Sequence, residues 1–74
     1  MDRQMLMDHL ALAEQHVEQG KEHIDRQTAL IAKLECNGYD SALARKLLGT
    51  FQDLQALHTG DRDRLHRELV DAKD

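Results

Sequence analysis

Cys36-Asn37-Gly38-Tyr39-Asp40 is the stretch on which the fold is decided. An Asn-Gly pair between two apolar runs is either a tight turn between strands or a helix end closed by a left-handed glycine. The flanks settle which. Upstream, Leu10, Val17, Ile24 and Ile31 recur every seven residues, with Ala13, Gly20, Gln27 and Leu34 offset between them. Downstream, Ala44, Phe51, His58 and Leu65 recur every seven, with Leu47, Leu54, Asp61 and Glu68 offset. Alternating steps of three and four are helical seams, and the strict alternation of a strand is absent. The expected fold is therefore all-α: an antiparallel, coiled-coil-like two-helix hairpin. Residues 1–74 form a single domain, with helix 1 over about 3–36, a turn at 37–40 and helix 2 over about 41–72.

Local signals agree with these bounds. Asp2 is placed to cap helix 1, because a carboxylate there accepts an unpaired backbone N–H. Gly38 supplies the left-handed residue past the helix end, Tyr39 can fold back over Leu34, and Asp40 is placed to cap helix 2. Thr59-Gly60-Asp61 resembles a second break, yet Phe51, His58 and Leu65 stay in register across it, so helix 2 continues with at most a kink.

Folding the chain about Tyr39 pairs positions whose numbers sum to about 78. Ile31 then meets Leu47, Gln27 meets Phe51, Ile24 meets Leu54, and Gly20 makes room for His58. On this register the turn-proximal half is the stable core. The distal half is poorly matched, with Val17 against Asp61 and Leu10 against Glu68. Gln27, His58 and Asp61 become a candidate polar layer that sets register and partner. Leucines remain beyond a single seam: Leu12 and Leu30 on helix 1, Leu43 and Leu57 on one side of helix 2, Leu48 and Leu69 on the other. A stripe this wide needs more than one neighbour, and these six are the candidate oligomer interface. Two hairpins related by a twofold axis and packed as a four-helix bundle would cover them.

Composition bounds the rest. Seventy-four residues with 3% aromatics, no proline and one cysteine cannot build a large core or an internal disulfide, which leaves oligomerisation as the remaining staple. The net charge of -4 argues against nucleic acid as a partner, since such binding needs basic clusters. No apolar run approaches the ~20 residues that span a bilayer, and the N-terminus lacks a signal-peptide pattern, so a cytoplasmic protein that does not enter a membrane is expected.

Candidate chemistry is sparse. His9, His16 and His23 form a heptad stripe, but successive members lie ~10 Å apart along the helix and cannot share one metal ion. The Glu-x-x-His pattern of di-iron bundles precedes none of the five histidines. These histidines read as flanking residues that half-cover the bundle, with a pH-sensitive interface as the sharper alternative. Cys36 ends helix 1, where the carbonyl-rich terminus disfavours a thiolate. Arg62, Arg64 and Arg67 alternate with Asp61, Asp63 and Glu68 as a solvated ion-pair face. No catalytic residue, cofactor-binding residue, metal ligand or cofactor is expected.

The stretches His23-Ile24-Asp25-Arg26-Gln27, Ile31-Ala32-Lys33-Leu34-Glu35, Gly38-Tyr39-Asp40, Ala44-Arg45-Lys46-Leu47-Leu48, Leu57-His58 and Asp61-Arg62-Asp63-Arg64-Leu65 resemble a group of short uncharacterised bacterial proteins. The resemblance covers about residues 23–65 and implies a helical hairpin and a bacterial origin. In architecture the chain also looks like the Rop type of dimeric, RNA-binding helical hairpin, by analogy of fold alone. The expected function is a non-enzymatic oligomerisation or adaptor module that acts through helix packing, with itself as partner or with another protein. A Rop-like RNA-binding bundle is the alternative, followed by a metal- or small-ligand-binding bundle using His16, His23 or His58.

Overall fold

The computed structural model describes residues 2–72, which form two α-helices, α1 (Arg3–Cys36) and α2 (Ala42–Asp71), packed along one another as an antiparallel hairpin. The Cα trace measures 59 × 14 × 13 Å. No helix among the described residues is long and apolar enough to cross a membrane.

Asp2 caps α1: its Oδ1 accepts the Met5 N–H at 2.8 Å. At the other end, Tyr39 N–H donates to Leu34 O and Gly38 N–H to Glu35 O, with Gly38 at φ +77°. This pair of bonds around a left-handed glycine is the Schellman closure, and it satisfies two carbonyls that the last turn leaves open. The Tyr39 ring does not fold back as expected; it is 66% exposed. Asp40 is not the residue at the α2 cap position, which Ser41 occupies; instead its carboxylate accepts the Ala42 N–H at 2.9 Å. α2 passes through Thr59, Gly60 and Asp61 without a break, and the Thr59 hydroxyl donates back to Gln55 O.

α1 buries the seam its heptads describe, with Leu10, Ala13, Val17, Gln27 and Ile31 inside, extended by Leu6. α2 does not. Its inward row is Leu48, Gln55, Arg62 and Leu69 beside Ala44, Phe51, His58 and Leu65, whereas Leu47, Leu54, Asp61 and Glu68 are exposed. The offset row is thus one position further along than expected. Asp61 leaves the anticipated polar layer and pairs with Arg64 at the surface. Placing Leu69 inward while Asp61 and Glu68 face water avoids burying two carboxylates, a cost far larger than exposing Leu54.

The pairing of the helices shifts too. The His16 ring meets His58 and the His23 ring meets Phe51, and the Gln27 amide reaches Ala44 O. These contacts sit about one turn from the register that folds about Tyr39. Residues 39–41 belong to neither helix. A chain without helical winding advances up to about 3.3 Å per residue against 1.5 Å in a helix. Three such residues carry the start of α2 about one turn further down α1. As a result, the distal end is well matched: Leu6, Leu10, Ala13 and Leu65 form a buried cluster, with Leu69 and Ala72 packed against it. The clustered apolar core lies there; nearer the turn, Ile31 is the buried apolar side chain among the described residues.

Candidate functional site: one leucine-rich face with a histidine notch at its centre

Helical spacing sorts the exposed leucines. Leu43, Leu47, Leu54 and Leu57 fall on one side of α2, and Leu12 with Leu30 on one side of α1 together with His9, His16 and His23. Grooves lined by both helices show that these two sides belong to the same face of the hairpin. One joins Leu30 and Leu34 to Leu43 and Leu47, and another joins His9, Leu12 and His16 to Asp61 and Arg64. The six leucines on this face are 44–80% exposed, Leu43 most and Leu57 next. Of the six interface candidates read from the sequence, Leu12, Leu30, Leu43 and Leu57 lie here. Leu48 and Leu69 are instead half-buried on the seam between the helices, and Leu47 and Leu54 take their place. The opposite face carries Met7, Glu14, Lys21, Thr28 and Glu35 from α1 and Arg45, Gln52, His66 and Val70 from α2, all exposed.

Two glutamines hold the helices that present this face. Buried Gln27 donates from Nε2 to Ala44 O at 2.9 Å, and Gln55 donates from Nε2 to Val17 O at 2.9 Å. Each helix therefore sends one amide into the other's backbone. Gln27 was legible as a polar seam residue; Gln55 was not, because Leu54 beside it is the more apolar choice. Gln55 seats against Gly20, where an added Cβ would overlap the amide and approach its Cδ to 2.7 Å. Gly20 accordingly makes room for Gln55 rather than for His58. The sign of a substitution follows. Gly20→Ala recovers about 1 kcal/mol of helix propensity but displaces an amide whose hydrogen bond is worth about 0.5–1.5 kcal/mol. It should be near neutral in the native chain and stabilising by about 1 kcal/mol once Gln55 is replaced by alanine. A denaturation double-mutant cycle reads this directly, and equal gains in both backgrounds would show that Gln55 does not sit there.

At mid-length the face holds a notch of about 70 Å³ lined by His16, Gln19, Gly20, His23, Phe51, Leu54, Gln55 and His58. His16 and His58 are half-buried, with ring centroids 5.1 Å apart at 47°. Exposed His23 lies against Phe51 at 5.7 Å. Gln55 Oε1 is a buried acceptor that receives no hydrogen bond among the described residues. Within one chain, the described residues contain no group of three or more His, Cys, Asp or Glu side chains placed to hold a metal ion.

The remaining candidates sit apart from this face or are already engaged. Cys36 is an exposed thiol beside the turn. Arg62 pairs with Asp63, and Arg64 with Asp61 and Glu68, so these guanidinium charges are matched locally. Across the turn, Glu35 acts as a clasp: its Oε2 accepts from Ser41 Oγ at 2.6 Å and from Arg45 Nε at 2.8 Å. The Ser41 hydroxyl, followed by the Arg45 hydrogen bond, holds the Glu35 carboxyl below its ordinary range. With the folded value depressed, the stability it contributes is complete above the unfolded carboxylate range and is lost as pH falls through the folded value. Melting temperature followed from neutral to acid pH should therefore show a shallower acid limb for Glu35→Gln than for the native chain. An identical limb would mean that the clasp is not formed in solution.

Comparison with protein-family models, with curated proteins and with solved structures finds no match for the chain.

Proposed function

We propose that this chain is a non-enzymatic oligomerisation module whose leucine-rich face packs on the same face of a second copy to complete a four-helix bundle. The observation that carries the reading is the asymmetry of the hairpin, with six exposed leucines on one side and, on the other, mainly charged or polar residues interrupted by Met7 and Val70 near the distal end. An apolar surface of this kind marks association. A second copy suits it in size: a face 59 Å long and 14 Å wide spans about 800 Å², which is what each partner contributes to a standard interface. Among closed assemblies, the twofold dimer is the commonest way to cover such a face. The local pairing of Arg62 and Arg64 weighs against the Rop-like RNA-binding alternative, which needs free basic charge.

Sedimentation of the metal-free chain at micromolar concentration tests the reading. The expected species has twice the 8.5 kDa chain mass. A folded species of 8.5 kDa under those conditions would overturn it.

A further inference from the structure

We infer that His16 and His58 are half of a transition-metal site, which a second copy completes with its own pair to give four imidazole ligands on one zinc-like ion. The inference rests on the dimer proposed above. Its starting point is the juxtaposition of the two rings, which come from different helices and meet at 5.1 Å between centroids. Two imidazoles bound to one tetrahedral zinc ion through Zn–N bonds of about 2.0–2.1 Å place their centroids about 5 Å apart. The pair is therefore spaced as two ligands of one ion. The sequence conceals this, because the visible stripe of His9, His16 and His23 runs along one helix with spacings too long for chelation.

Position supplies the second argument. α1 spans Arg3–Cys36 and α2 spans Ala42–Asp71, so His16 and His58 lie within about 5 Å and 2 Å of the respective midpoints at 1.5 Å per residue. A twofold axis that runs along the bundle keeps each level opposite itself. One that crosses the face at mid-length sends the centre to the centre. The first arrangement sets the pair opposite its own copy, and two ligands become four, the closed coordination of a structural zinc site. The second doubles the offset and holds the two His16 rings about 10 Å apart along the bundle, too far for one ion, so the site requires the axis that runs along the bundle. Among the described residues of one chain no third ligand joins the pair, so the remaining two must come from the second copy.

Burial supplies the third. Neither His16 nor His58 makes a hydrogen bond among the described residues; the notch is otherwise lined by Gln19, Gly20, His23, Phe51, Leu54 and Gln55, and the Asp61 and Arg64 side chains of the groove that His16 also borders pair with each other. Closing a partner over it would strand imidazole nitrogens that each need a donor or an acceptor. A divalent ion takes up one nitrogen of each ring. The other N–H is then a donor of the kind that metal-bound histidines give to nearby acceptors, and Gln55 Oε1 is an unused acceptor in the same notch.

Titration with Co²⁺ as a spectroscopic probe and with Zn²⁺, together with sedimentation in EDTA, tests the site. The expected result is one ion per two chains, a tetrahedral cobalt spectrum, and a dimer that persists to greater dilution with metal. His16→Gln and His58→Gln should each weaken binding by more than the about 10–100-fold typical of outer-shell changes, with helicity by circular dichroism retained in EDTA. His23→Gln, in the same notch, and His66→Gln, on the opposite face, should leave affinity unchanged. One ion per chain, an octahedral spectrum, or an equal loss with His66→Gln or His23→Gln would overturn the site. A dimer in EDTA that binds no metal overturns the site and leaves the dimer standing. A chain that is monomeric in EDTA and dimeric with zinc upholds the site and overturns the metal-independent dimer. A monomer under both conditions overturns both.

Discussion

Leu65→Ala is expected to remove about 2–5 kcal/mol of stability, the range for truncating a leucine in a tight core. Leu65 is 3% exposed and is the α2 member of the distal cluster formed with Leu6, Leu10 and Ala13. The cavity it leaves would lie between two continuous helices, with no loop beside it to collapse inward. At about 0.05–0.15 kcal/mol per residue a chain of this size holds on the order of 4–11 kcal/mol, so the substitution takes a large share of the total. Leu6→Ala acts in the same direction but less strongly, because Leu6 lies in the first turns of α1, where local opening is easiest. Urea denaturation at one fixed chain concentration makes the comparison sound, since association shifts apparent stability. An unchanged midpoint for Leu65→Ala would mean that the distal cluster is not the core.

The distal cluster also shows how far the sequence can be read. Asn37-Gly38 marks the turn, Asp2 marks the first cap, and both helices begin and end within one residue of their expected bounds. The α1 seam was legible because its flanking positions are mostly charged or polar, leaving one apolar row. α2 offers leucine at both Leu47 and Leu48, and an apolar residue beside an amide at Leu54 and Gln55. Hydropathy favours Leu54 as the inward residue. The fold favours Gln55, because its amide bonds Val17 O and fits the space at Gly20. A periodicity argument weighs each residue alone and is blind to a fit between positions far apart in the chain. The same blindness hid the Glu35 clasp and the His16–His58 pair, both of which depend on a register set by the unwound residues 39–41. What survives this shift is the excess of leucine over what one seam can hold. Four of the six leucines read as interface candidates stay exposed on a common face, and the shift adds Leu47 and Leu54 to them.

Leu57→Glu should convert the dimer to a folded monomer. Leu57 is 70% exposed in the hairpin, and glutamate has nearly the helix propensity of leucine, so the isolated chain loses little by the change. In the proposed bundle the same position faces a second copy, and a twofold axis introduces the carboxylate twice. Each would be taken from water into an apolar surface without a partner, which costs several kcal/mol per ion even after relaxation. A loss of only about 2.8 kcal/mol weakens the dissociation constant 100-fold, so the dimer should be absent at micromolar concentrations where the native chain forms it. Gln52→Glu adds the same charge to the opposite, polar face and should leave association unchanged. That contrast separates a specific face from general charge repulsion in a chain already at -4. Sedimentation equilibrium with circular dichroism on the same samples reads both mass and fold. A Leu57→Glu chain that stays dimeric would place the contact elsewhere on the hairpin. Monomers from both variants alike would assign the association to net charge rather than to the leucine face.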